Sequence, residues 1–151
     1  MKNFAKYLSI LFAAVIILSG CSSNNTADSK KLSSDEKMAL SYVTDFYNAS
    51  TADKEKFVEE NVHPEVQALF RIGAKGEATE DNKLKDPKVA ESVPYDEEDG
   101  KGSVVLIQAA DDKEMIVLII DGKVAFGYAA SDNPESQEMF EQMRSQFKTA
   151  K

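Results

Sequence analysis

The chain has 151 residues, 26 acidic against 18 basic, and a formal net charge of −8, so it is long enough for one ordinary domain and not for two. Hydrophobic residues make up 42%, sufficient for a packed core, while the negative surface repels phosphate and disfavours nucleic acid; the plainer reading of the acidity is solubility. A single cysteine and a single histidine exclude an internal disulfide and the thiolate-rich zinc patterns.

Residues 1–21 read MKNFAKYLSILFAAVIILSGC. Lys2 and Lys6 form a positive start, and Tyr7 to Leu18 is an apolar run of 12 residues broken only by Ser9. That run is too short to cross a hydrocarbon core of about 30 Å as a helix and has the length of a signal-peptide core. The small residues Ser19 and Gly20 follow it. Leu18-Ser19-Gly20-Cys21 resembles the lipobox of bacterial lipoprotein precursors. The resemblance implies a diacylglyceryl group on the Cys21 sulfur and cleavage between Gly20 and Cys21. A core cysteine on an ordinary N-terminal helix is the competing reading, and the position of the sole cysteine in the tetrapeptide argues against it. Cleavage removes two lysines and no acid, so the remainder would carry −10. Two acyl chains anchor stably where one does not, and no second apolar stretch approaches the length of a membrane span. The expected address is therefore the cell membrane, lipid-anchored on its extracytoplasmic face. Ser22 permits outer-membrane sorting in a Gram-negative cell, while the lysine-rich, arginine-poor composition leans toward a Gram-positive one.

The order of segments implies a cleaved signal peptide at 1–20, a lipidated cysteine with a flexible tether at 21–31, and one domain at 32–148. The tether SSNNTADSKK is small, polar and without period, and as a random coil reaches roughly 15–20 Å. Ser33 followed by Glu36 is a capping-box pattern opening a helix at 34–49, with Ala39, Tyr42, Val43, Phe46 and Tyr47 on one face. Thr51 and Asp53 are candidate caps of a second helix at 52–62 that buries Phe57, Val58 and Val62. His63-Pro64 interrupts it, Pro64 suiting a first helical position. Val66, Leu69 and Phe70 make a short third face that Gly73 ends.

Residues 74–88 read as a long exposed loop. Strand-like spacing then begins: Lys88–Tyr95 as an edge strand because of Pro94, a turn at Asp96–Gly100, and strands at Ser103–Ala109, Glu114–Asp121 and Lys123–Ala129. Asp121-Gly122 signals a tight hairpin turn. Asn133-Pro134 caps and starts a final helix at 134–148, whose Met139, Phe140, Met143 and Phe147 either cover the sheet or offer a stripe to a partner. The expected class is α+β, with N-terminal helices packed on one face of a three- to four-stranded antiparallel meander, plus a C-terminal helix. The segment SVVLIQAADDKEMIVLIIDGKVAFGY, preceded by the helices within Lys37–Asn61, resembles nuclear-transport-factor-like domains, which recur in small secreted bacterial lipoproteins. That resemblance implies a cone-shaped pocket able to hold a small apolar ligand, with Tyr42, Phe46, Tyr47, Phe57 and Phe70 as candidates to line it. Helical spacing alone makes the same five residues plain core. The terminal helix departs from the strand on which such domains usually end, and a cystatin-like helix-on-sheet domain is the nearest competitor.

Chemistry-bearing motifs are sparse. No G-x-S-x-G, P-loop or H-E-x-x-H occurs, and no cofactor or metal is implied. His63 is either a general base or a helix-end residue whose ring helps to cap carbonyls. Asp96-Glu97-Glu98-Asp99-Gly100 lacks the spacing of a calcium loop and reads as a solvated hairpin tip; Asp111-Asp112 reads as a turn. The expected function is a non-enzymatic, lipid-anchored domain binding an envelope protein, polymer or small ligand. Surface exclusion or immunity is one role within that class, by analogy only. The alternative is a nuclear-transport-factor-like pocket enzyme or small-ligand carrier, with His63 or a tyrosine as its polar group.

Overall fold

The computed structural model describes residues 31–130 and 134–149. The signal-peptide and lipobox residues, including Leu18, Ser19, Gly20 and Cys21, the tether up to residue 30 and the Asn133 cap lie outside the described residues.

Helix α1 (Ser34–Ser41) starts with the reciprocal cap that its sequence predicts. The Glu36 amide donates to Ser33 Oγ at 3.1 Å and the Ser33 amide donates to Glu36 Oε2 at 2.7 Å, satisfying two donors that a helix start would otherwise orphan. The expected helix over 34–49 does not continue as one type. From Tyr42 to Tyr47 the backbone is a π-helix, and the Asn48 amide donates to the carbonyl of Val43, five residues back, at 2.9 Å. In this wider turn the Tyr42 and Phe46 rings lie stacked, centroids 5.4 Å apart, and both contact Phe57 and Phe70.

Helix α2 (Thr51–Asn61) begins one residue earlier than its spacing predicts, so Ser50 rather than Thr51 sits at the cap position. Ser50 Oγ donates to Asp53 Oδ2 at 2.7 Å and caps no amide. Val62 then leaves the helix extended and bridges Val124 in parallel, and the His63 amide donates to the Val124 carbonyl at 2.8 Å. A 3-10 turn (Pro64–Val66) leads into helix α3 (Gln67–Gly73).

The four strands, β1 (Lys88–Glu97), β2 (Gly100–Gln108), β3 (Glu114–Ile120) and β4 (Lys123–Ala129), form an antiparallel meander in chain order. Asp121 and Gly122 both adopt positive φ, 50° and 73°, as a two-residue hairpin turn requires. The first hairpin is longer than expected, since Gly100, Lys101 and Gly102 are strand rather than turn. Glycine at 102 permits a close approach: a Cβ there would lie 1.9 Å from the Ile119 carbonyl oxygen.

Helix α4 (Pro134–Arg144) is shorter than the expected 134–148. After it the chain tightens into three-residue turns, with the Phe147 amide donating to Arg144 O at 3.2 Å, which keeps Phe147 buried.

As expected, the N-terminal helices cover one face of the sheet. Val105, Ile107, Met115, Val117, Ile119 and Val124 share a core with α1, the π-turn, α2 and α3. On the other face Val104, Leu106 and Ile116 pack with Phe140, Met143 and Phe147. The sheet is therefore apolar on both sides, and the C-terminal helix covers the second. Two bulges assign residues to faces. One in β1 at Ala90 turns Glu91 toward the α4 side, and one in β4 at Ala125 places Val124 inward and Phe126 outward. All these elements belong to the unit that begins at Leu32.

Candidate functional site

The five aromatic residues named as pocket candidates come together on the helical side of the sheet. Tyr42, Phe46, Phe57 and Phe70 are buried, with ring centroids 5.4–6.3 Å apart, and Tyr47 packs half-buried at the margin. Offset and edge contacts at these distances are favourable in their own right, and the rings occupy the space between helices and sheet. Tyr42 also packs closely against β4: a Cβ on Gly127 would come within 2.3–2.4 Å of its Cε1, Cζ and Oη. Burial pushes the Tyr42 phenol well above the usual tyrosine range, and the nearby Tyr47 adds to the shift.

His63 stands between α2 and the 3-10 turn. Its backbone does the structural work, donating to Val124 and accepting from the Val66 amide at 3.0 Å. Its ring makes no capping hydrogen bond to the 3-10 turn that follows. The acidic run at 96–100 straddles the first hairpin, with Glu98 and Asp99 in its turn: Lys101 pairs with Asp96 at 3.0 Å, and the Tyr95 hydroxyl donates to Asp99 Oδ1 at 2.8 Å. Asp111 pairs with Lys113 at 2.6 Å, and the hydrogen bond from that lysine holds the carboxyl below its ordinary range. Among the described residues no group of three or more histidine, cysteine, aspartate or glutamate side chains could hold a metal ion.

An open cleft of about 400 Å³ lies where β1 begins and β2 ends, lined by Asp86, Lys88, Val89, Gln108 and Asp112 among others. None of the five aromatic candidates lines it. Asp86 and Asp112 both hold positive φ, 47° and 61°, a conformation that aspartate tolerates better than most residues.

Several structural residues escaped the sequence reading. Asn48 Nδ2 donates to the Leu84 carbonyl at 2.8 Å and its Oδ1 accepts from the Leu84 amide at 3.0 Å. The buried Lys54 donates to the Gly76 carbonyl at 2.6 Å and lies over the Phe46 ring at 5.7 Å. These contacts pin the 74–87 segment, which buries Ala74 and Leu84 rather than running exposed throughout. On the opposite face Arg144 grips Glu114 through Nε at 2.6 Å and Nη2 at 3.0 Å. Glu91 accepts from the Lys148 and Thr149 amides, each at 3.0 Å; partial burial opposes its ionisation, but these two donors hold the carboxyl below its ordinary range. Polar residues that clamp a distant backbone or a distant charge leave no periodic signal.

No family model matches the chain, and no curated protein and no solved structure is significantly similar to it.

Proposed function

We propose that the chain is a lipid-anchored extracytoplasmic binding domain, moored through a diacylglyceryl group on Cys21. The observation that carries this reading is the sequence Leu18-Ser19-Gly20-Cys21 directly after a positive start and a 12-residue apolar run, with the sole cysteine of the chain in its last position. A helix that spans the bilayer would be an alternative anchor, and no helix of the described residues is long and apolar enough to cross a membrane. The non-enzymatic reading draws support from the ring-on-ring packing of Tyr42, Phe46, Phe57 and Phe70, since a pocket enzyme or small-ligand carrier would need open room there. The partner class is an envelope protein, an envelope polymer or a small ligand, and exclusion or immunity is one such role.

The test is intact-mass spectrometry of the native protein with metabolic labelling by an alkynyl fatty acid. The expected result is loss of residues 1–20, a lipid on Cys21, and no label in Cys21→Ala. An unmodified sulfur with the leader still attached would overturn the proposal. A pull-down from detergent-solubilised membranes then seeks the partner.

A further inference from the structure

Helix α3 carries the two large hydrophobic residues that stand out among the described residues, Leu69 at 44% and Ile72 at 69% exposure. At i and i+3 they share one face, beside the exposed Ala68. They are held outward by order, not by slack: Phe70 on the opposite side is buried among the Tyr42 and Phe46 rings, 6.0 and 5.5 Å away. Lys54 ties down the following turn at Gly76. The pair lies in a stretch less acidic than the chain as a whole. In a protein of net −8, Val66 to Gly76 contains Arg71 and Lys75 and no acid, with Glu65 and Glu77 bounding it, and both cations are exposed.

The geometry points to α3 as a membrane-contact face, with Leu69 and Ile72 entering the headgroup boundary of an anionic lipid surface and Arg71 and Lys75 meeting its phosphates. This inference rests on the lipid anchor at Cys21. Aliphatic side chains flanked by cations are what an interfacial segment requires, and each cation near an anionic leaflet adds attraction. The tether allows the contact. The 11 residues from Cys21 to Lys31 span at most roughly 36–40 Å when extended. The helical rise from Ser33 to Tyr42 is only about 13 Å, and the Phe70 ring lies 6.0 Å from that of Tyr42. An anchored domain meets the bilayer at high effective concentration, so two aliphatic side chains and two cations can set which side faces the lipid without binding it independently.

The test uses the full, processed chain in vesicles of phosphatidylglycerol and phosphatidylcholine. An environment-sensitive fluorophore is attached at Ala68→Cys, or at Gln142→Cys on the exposed side of α4 as reference, after the lipid has consumed the Cys21 thiol. Flotation reports anchoring separately. The expected result is a floating protein whose label at 68 is blue-shifted and quenched by lipid-borne nitroxide while the label at 142 stays in water. Arg71→Gln with Lys75→Gln should lower the equilibrium constant for contact roughly 25-fold on these vesicles, and Leu69→Ser with Ile72→Ser should abolish it with the far-UV spectrum unchanged. A floating protein with the label at 68 in water, or with both labels equally immersed, overturns the inference and leaves the anchor standing. A protein that does not float overturns the anchor, and the inference with it.

Discussion

Replacing Phe140 by alanine separates a core role for α4 from a partner-binding stripe. Phe140 is 3% exposed, its ring is stacked on Tyr128 at 6.5 Å, and it packs in one cluster with Val104, Leu106 and Ile116. Those neighbours are held by the β2–β3 ladder and can collapse only partly into the space left behind. The loss is therefore the burial of a phenyl group plus the cavity, about 3–5 kcal/mol. Against a total stability of roughly 5–15 kcal/mol for a domain of this size, that is a large fraction. With a urea slope of about 2 kcal/mol per M, the midpoint followed by circular dichroism should fall by about 1.5–2.5 M at unchanged slope. Gln142→Ala, on the exposed side of the same helix, should stay within about 0.5 kcal/mol of the parent. A midpoint that Phe140→Ala leaves in place would refute the packing argument and return the stripe to a binding role.

Gly127→Ala drives a methyl into the Tyr42 ring and should cost about 1–3 kcal/mol; Tyr42→Leu in the same chain should recover part of that loss in thermal melts. The Tyr42 phenol is raised above its ordinary 10.0 in the folded chain, so its contribution to stability is complete below that value. The contribution declines as pH climbs above 10, where the unfolded form ionises first. Urea midpoints should therefore fall more steeply between pH 9 and 11 for the parent than for Tyr42→Phe, and parallel curves would count against the burial. Arg144 and Glu114 are mutually bonded at 2.6 and 3.0 Å and mostly buried. Glu114→Leu alone should cost about 1.5–3 kcal/mol, the guanidinium keeping its bond to the Thr149 carbonyl, whereas Glu114→Leu with Arg144→Met should cost less. Additive losses in that double-mutant cycle would show that the pair is uncoupled.

The two-sided sheet had a signal that alternation-based reading passes over. Val104-Val105-Leu106-Ile107 and Met115-Ile116-Val117 are continuous apolar runs, and a strand with one wet face would alternate. Gly100 and Gly102 disguised the start of β2 because glycine usually marks a turn, whereas at 102 it serves the approach of the β3 backbone. The five pocket candidates were recognisable as one cluster from helical spacing. Whether their rings would line a space or fill it depended on Phe57 and Phe70 arriving from two further helices.

The amino-acid sequence by itself determined the order of helices and strands along the described chain, the Ser33–Glu36 cap, the edge position of Pro94 and the Asp121-Gly122 hairpin. Each of these follows from spacing or backbone preference within a few residues. Tertiary structure alone decided that α4 covers the far face, that the first helix widens at Tyr42, and that Asn48, Lys54, Glu91 and Glu114 clamp partners 36, 22, 57 and 30 residues away. Such contacts depend on which distant segments meet, and that is settled by burying two apolar sheet faces at once, a condition no local stretch of chain encodes.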